Sequence, residues 1–452
     1  MRAVRGVKLI IKAAMLAVLI AVCVVRFSAA ESSPYIEQLD FANGLFQRGL
    51  YDMAIIEYKK FIGAFPNNEY TEDAYFGIAE SQFFLMDYEN AVGTYQKYQE
   101  MYPSAKRISE SNLRMGQAFY YLQQYDKAAS MFHKVSDDTL APEFKQLFYL
   151  YFARTYMGLG DREKAREYFN KASAVSDKGD YTAYAYMDLG DIYKTDMSSA
   201  KAAEYYRKAF ESADSAAIKS VMLHKIGEVE FENEKYAEAA ETFRAILDNY
   251  ADSDTVSNAL FNRLSALFKL EKYDEIIAEY GSRGKEIISE AKAFKSYYVV
   301  ICALEELEKY DEAINMVDVL AKEPWLTQEE KMRAYSKKAD ILIRAERFTG
   351  VLQFISDAQS NSPDSIKPDQ ADFLSAEANY GMGNFDEAMA FYEKVVLEHK
   401  DSELFDDSLY GLAYCQRSAG DEKASIASFY RYFKEGKDEN RKQEALYNTI
   451  LL

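Results

Sequence analysis

Small and aromatic residues recur along this chain on a fixed step. Ala54, Ala91, Ala128, Ala165, Ala202 and Ala239 lie 37 residues apart, and the series continues through Ile276, Ala313, Val351, Ala388 and Ser425 with one step of 38 before Val351. Four residues after each comes Tyr58, Tyr95, Phe132, Phe169, Tyr206, Phe243, Tyr280, Val317, Ile355, Tyr392 or Phe429. A period held over eleven units predicts a solenoid, in which each unit packs on its neighbours.

Let the first series define position 20 of each unit. A second row of mostly small residues then stands at position 8: Ala42, Ala79, Gly116, Ala153, Gly190, Gly227, Leu264, Ile301, Ala339, Ala376 and Ala413. Turn chemistry separates the two rows. Pairs such as Met86-Asp87 and Gly383-Asn384 precede an aromatic at position 17, as in Tyr51, Tyr88, Tyr125, Tyr236, Tyr273, Tyr310, Phe348 and Phe385. Each unit therefore reads as a helical hairpin: small residues let two helices approach, and the ring four residues on fills the space beside them. All seven prolines fall outside the predicted helices, Pro34 before the first unit and the rest between units. One inside a helix would cost about 3 kcal/mol.

The small residues at 8 and 20, the aromatic at 24 and a proline at 32 (Pro66, Pro103, Pro363) resemble the tetratricopeptide repeat. The resemblance covers roughly residues 35–438. It implies an all-α fold: an α-solenoid of about eleven stacked hairpins in a right-handed superhelix, closed by a C-terminal capping helix. The step of 37, against 34 usual for that family, implies longer helices or links. The stretches GLYDMAIIEYKKFIGAFPNNEYTEDAYFGIAES and DYENAVGTYQKYQEMYPSAK are similar to repeats of bacterial cell-envelope proteins, of the outer-membrane assembly lipoprotein and Tol-associated coordinator types.

Residues 1–30 form a separate object. Arg2, Arg5, Lys8 and Lys12 lead into an apolar run from Ala13 to Val25, followed by Ser28-Ala29-Ala30. That is the order of a secretory signal peptide cleaved before Glu31; an uncleaved anchor, or lipidation at Cys23, are the alternatives. The predicted boundaries are then 1–30 for the signal peptide, 31–360 for units one to nine, 361–368 for a hinge, and 369–452 for units ten and eleven with the cap. The hinge rests on SNSPDSIKPD, where two prolines stand among polar turn formers; a merely degenerate repeat is the reading the same residues favour over a hinge.

Charge narrows the partners. The chain carries −19 overall, and removal of residues 1–30, which hold five basic and no acidic residues, takes it to −24. Such a chain repels phosphate backbones, so no nucleic-acid partner is expected. Cys302 and Cys415 lie three units apart and are not expected to pair; both read as buried free thiols. His133, His224 and His399 fall in the third, sixth and tenth units, too far apart for a shared metal or a nucleophile–base pair. Neither catalytic residues, metal nor cofactor is expected, although an enzyme with a site in the groove stands as the outside alternative.

The resemblance also implies a concave groove lined from positions 2, 5, 9, 12 and 13 of each first helix. Transferred here, it presents Phe46, Phe76, Phe83, Phe84, Tyr120 and Tyr121, with Asn43, Glu80 and Gln117 between them. Two readings of these rings stand side by side: a surface that grips apolar segments of a partner, or packing between adjacent hairpins. Position 5 is never lysine in units one to eight, so the carboxylate clamp known in one subgroup of the family is absent. The expectation is an exported protein of the periplasm or envelope that scaffolds other proteins or peptide segments. Its narrower forms are a component of outer-membrane protein assembly or a periplasmic coordinator. Membrane association would come through a partner or through a retained or lipidated amino terminus.

Overall fold

The computed structural model describes residues 33–284, 290–361 and 366–452. The signal peptide expected at 1–30, with Cys23, lies outside them, as does the middle of the expected hinge at 361–368. Among the described residues there are twenty-three α-helices and no strand, and they pair as eleven hairpins and a final helix. No helix among them is long and apolar enough to cross a membrane.

The chain forms two compact units that divide at Met222–Leu223, inside α11. The first holds five hairpins: α1 (Pro34–Gln47) with α2 (Tyr51–Ala64), α3 (Thr71–Phe84) with α4 (Tyr88–Met101), α5 (Ile108–Tyr121) with α6 (Tyr125–Phe132), α7 (Pro142–Gly158) with α8 (Arg162–Val175), and α9 (Asp180–Thr195) with α10 (Ser199–Ser212). The sixth hairpin joins α11 (Ala216–Glu232) to α12 (Tyr236–Asn249). Then come α13 (Val256–Lys269) with α14 (Tyr273–Glu279), α15 (Glu290–Glu306) with α16 (Tyr310–Leu320), and α17 (Gln328–Arg344) with α18 (Phe348–Asn361). The last two are α19 (Pro368–Gly381) with α20 (Phe385–Glu398) and α21 (Phe405–Ser418) with α22 (Glu422–Glu435), before α23 (Glu439–Leu451) packs on α22 as the cap. Each unit is an α-solenoid, its hairpins packed on their sequence neighbours.

The periodic rows are the core. All eleven residues at position 20 and all eleven at position 24 are buried, Ser425 included. At position 8 the small residue faces the position-24 ring of its own hairpin so closely that a Cβ on Gly190 would stand 2.4 Å from Tyr206, and one on Gly116 2.6 Å from Phe132. Proline sits where the helix can accept it: Pro34, Pro142 and Pro368 each occupy the first turn, where the missing N–H has no intrahelical partner to lose.

One turn closes every hairpin. The position-16 N–H donates to the position-11 carbonyl in all eleven, as from Leu50 to Leu45, Asp87 to Gln82 and Asp421 to Gln416. This six-residue closure needs a left-handed residue at position 15. Gly49, Gly160, Gly383 and Gly420 fill it freely, but Met86, Gln123, Met197, Glu234, Glu271, Glu308 and Glu346 also hold φ between 54° and 64°. The aromatic at position 17 is not in the turn as expected; it is the first residue of the second helix in all eight hairpins that carry it.

Candidate functional site

That placement explains the turn rings. The position-17 ring meets the position-12 ring of its own hairpin: Phe46 with Tyr51 at 5.3 Å between centroids, Phe83 with Tyr88 at 5.5 Å, Tyr120 with Tyr125 at 5.9 Å. It also reaches position 13 of the next hairpin. Tyr51 stacks on Phe84 at 5.3 Å and Tyr88 on Tyr121 at 4.9 Å, whereas Tyr125 packs against Gly158. A continuous run of rings therefore ties hairpins 1 to 4 together on the first-helix side.

The six rings named from sequence separate into two sets. Phe76 is buried against Tyr95 and Tyr98, and Phe83 is buried between Tyr88, Phe84 and Tyr121. For these two the packing reading describes the structure: Phe76 is covered by the second helix of its own hairpin, and Phe83 by its own hairpin together with Tyr121 of the next. Phe46, Phe84 and Tyr120 are half-buried, and Tyr121 keeps 37% of its surface. The polar residues at position 9 are engaged as well. Tyr58 donates to Asn43 at 2.7 Å, Tyr206 to Asp191 at 2.6 Å, Tyr95 to Glu80 and Tyr392 to Glu377: four of the five tyrosines at position 24 take an acceptor at position 9 of the same hairpin, Tyr280 being the exception.

Two guanidinium groups lie beneath the half-exposed rings. Arg114, 4% exposed at its side chain, donates from Nε to Glu80 Oε1 at 2.9 Å and from Nη2 to Oε2 at 3.2 Å. Its plane lies 5.2 Å from the Phe83 centroid and 5.7 Å from those of Phe84 and Phe144. Arg154 donates to Asp188 at 2.6 Å and lies 5.7 Å from Tyr151 and 5.6 Å from Tyr184. Both ion pairs join position 9 of one hairpin to position 6 of the next, with the polarity reversed between them.

Burial would by itself lower the pKa of each arginine, but the facing carboxylate outweighs it, and both are held firmly charged. The phenols go the other way. Desolvation raises Tyr120, Tyr121, Tyr151 and Tyr181, and pushes Tyr184 up to about 12. At neutral pH this face thus presents neutral phenols over paired guanidinium groups, an arrangement suited to stacking and hydrogen bonding rather than proton transfer. The thiols are also held neutral: burial pushes Cys415 up to about 11 and raises Cys302, and among the described residues both are free. Among the described residues no group of three or more metal-ligating side chains gathers.

Arg114, Tyr151, Arg154, Tyr181 and Tyr184 were not singled out from sequence. A usable signal existed at position 6, where Arg114, Tyr151 and Asp188 follow one another through hairpins 3 to 5.

Tetratricopeptide repeat profiles match residues 73–105, 110–138 and 370–402, residues 148–177 and 183–215, and residues 224–287. The chain carries tetratricopeptide repeats. Among solved structures it is similar to PilF of Pseudomonas aeruginosa, at 18% identity over 48% of this chain and 91% of that one, TM-score 0.39. It is also similar to the C-terminal part of a TPR repeat-containing protein from Cytophaga hutchinsonii, at 15% identity over 64% and 95%, TM-score 0.41. A third is yeast Tom70, at 15% identity over 92% and 95%, TM-score 0.36. No curated protein matches the sequence.

Proposed function

We propose that this chain is a non-catalytic protein-binding scaffold of the cell envelope, exported by its leader, that receives partner segments on the first-helix face of hairpins 2 to 5. Repeats of this kind typically act as protein-interaction scaffolds. The observation that carries the reading is the ring-and-guanidinium face itself. Phe84, Tyr120, Tyr121, Phe144, Tyr181 and Tyr184 are each part-exposed around two ion pairs that are themselves largely withdrawn from solvent, with Arg114 buried. Tyrosine and arginine are the residues that most often dominate binding energy, and here they are held rigid before any partner arrives. The leader's order of basic, apolar and small residues supports the envelope location.

Roles in outer-membrane protein assembly or in coordinating periplasmic machinery are narrower forms of the same reading. Amino-terminal sequencing of protein from fractionated cells tests the location: a mature start at Glu31 outside the cytoplasm supports it, and an intact Met1 in the cytosol sinks it. For the binding face, replacing Tyr121 and Tyr184 by alanine should weaken partner capture at least tenfold while the helical content is retained.

A further inference from the structure

The opposite, second-helix side of the first unit contains a repeated groove that is filled in two places and open in one. In hairpin 4 it is filled by Tyr156 at position 11 and Tyr168 at position 23, stacked at 5.6 Å with 16° between planes. In hairpin 5 Tyr193 and Tyr205 occupy the same two positions, stacked at 5.1 Å and 13°. A tyrosine at position 4 forms the wall in each case, Tyr149 at 6.2 Å from Tyr168 and Tyr186 at 6.1 Å from Tyr205.

The charge around these rings repeats as well. Lys171 and Lys208, at position 26, lie over the position-23 rings at 4.5 and 4.7 Å. Each also pairs with a glutamate at position 22, Lys171 with Glu167 at 2.6 Å and Lys208 with Glu204 at 2.7 Å. A Glu–Tyr pair is thus held between a tyrosine wall and a lysine in both hairpins.

Hairpin 2 keeps the wall and the lysine but lacks the pair. Tyr75 stands at position 4 and Lys97 at position 26, but positions 22 and 23 are Gly93 and Thr94, and position 11 is Gln82. Thr94 and Gln82 hydrogen-bond to each other at 2.6 Å, leaving Lys97 to lie over Tyr75 at 5.9 Å. What remains is a cleft of about 300 Å³ lined by Lys59, Ile62, Tyr75, Ile78, Gln82, Thr94 and Lys97. A Cβ on Gly93 would meet nothing within 4 Å, so the place of the missing glutamate is open too. Lys59, contributed by hairpin 1, stands where His133 meets the Tyr156 hydroxyl at 3.2 Å in the hairpin 3–4 groove, and so supplies a second polar contact at the rim.

From this internal comparison we infer that the hairpin 1–2 cleft is a docking site for a partner segment carrying an acidic residue next to an aromatic one. The aromatic ring enters against Tyr75 over the floor made by Ile62 and Ile78, in the place that Tyr168 and Tyr205 take in their own hairpins. The adjacent carboxylate pairs with Lys97, as Glu167 does with Lys171, and Lys59 meets the outer edge of the ring or a further acid. The occupant is chosen by complementarity: two lysines and an apolar floor on one side, and on the other the Glu–Tyr pair that this fold itself uses to fill the same space. This site is separate from the first-helix face proposed above and stands without it.

The test uses the full chain labelled at isoleucine methyl groups and the blocked tetrapeptide Ala-Glu-Tyr-Ala as probe. The Ile62 and Ile78 methyls should shift on titration while isoleucines elsewhere do not. The same peptide with alanine for tyrosine should leave them still, and Lys97→Gln, at an exposed position, should weaken binding at least threefold. The double variant Gly93→Glu, Thr94→Tyr fills the cleft from within; it should move Ile62 and Ile78 without peptide and abolish the response to peptide. Still methyls at millimolar peptide, an equal response to the tyrosine-free peptide, or undiminished binding by both Lys97→Gln and the filled variant would each overturn the inference.

Discussion

Tyr88, the first residue of α4, lies nearly parallel to Tyr121, the last residue of α5, with centroids 4.9 Å apart and 14° between planes. The contact joins position 17 of one hairpin to position 13 of the next. Tyr51 and Phe84 make the same contact one hairpin earlier at 17°. Stacked pairs contribute about 0.5–1.5 kcal/mol beyond their buried area. A double-mutant cycle in urea with Tyr88→Ala and Tyr121→Ala should therefore return a coupling of about 1 kcal/mol. Additive single-mutant losses would mean that the stack does not link the two hairpins.

The hairpin turns store strain at position 15. Met197 is 90% exposed, so its side chain makes little contact that could offset its φ of 59°. A left-handed L-residue costs about 1–2 kcal/mol, part of which glycine returns as unfolded-chain entropy. Met197→Gly should stabilise the first unit by about 0.5–1 kcal/mol, and Gly160→Ala, at φ 81°, should destabilise it by a similar amount. Thermal melts of the two variants should move in opposite directions.

Two glycines in helix interiors should also part company. A Cβ on Gly190 would collide with the Tyr206 ring at 2.4 Å, whereas one on Gly44 meets nothing within 4 Å. Gly190→Ala should cost about 1–3 kcal/mol by overpacking. Gly44→Ala should gain about 0.5–1 kcal/mol from helix propensity alone. Equal shifts in urea midpoint would show that positions 8 and 24 are not in contact.

High pH should unfold the first unit cooperatively. Burial pushes the phenols of Tyr88 and Tyr184 up to about 12 and raises those of Tyr120, Tyr121 and Tyr181, so folding favours their protonated forms. A folded pKa above the ordinary 10 means the contribution is intact below pH 10 and is lost as pH rises towards 12. Phenolate absorbance and loss of helical ellipticity should rise together across that interval. Gradual titration of all 37 tyrosines centred on pH 10, with helix retained, would contradict the buried placement.

The rows at positions 8, 20 and 24 were legible in the sequence because close helix approach admits few residue types, and the requirement repeats in every hairpin. The eleven hairpins and the cap followed from that phase. The lining of the first-helix face was less legible. Position 12 shares a face with the groove, but the ring that covers Phe83 comes from Tyr88 across the turn. Arg114 and Arg154 meet their carboxylates 34 residues away, a separation that no local pattern marks. The left-handed residues at position 15 escaped notice wherever the residue was not glycine, since glutamate or methionine carries no sign of that conformation.

The central claim is that the ring-and-guanidinium face of hairpins 2 to 5 receives protein partners. A photo-crosslinking amino acid placed at Tyr121, the most exposed of the six rings named from sequence, tests it in cells. A second strain carries the same group at Glu163, whose side chain on α8 is 84% exposed. The account predicts discrete, reproducible protein adducts from Tyr121 that Glu163 does not give and that Tyr184→Ala diminishes. Identical adducts from both positions, or none from Tyr121 in a folded protein, would contradict it.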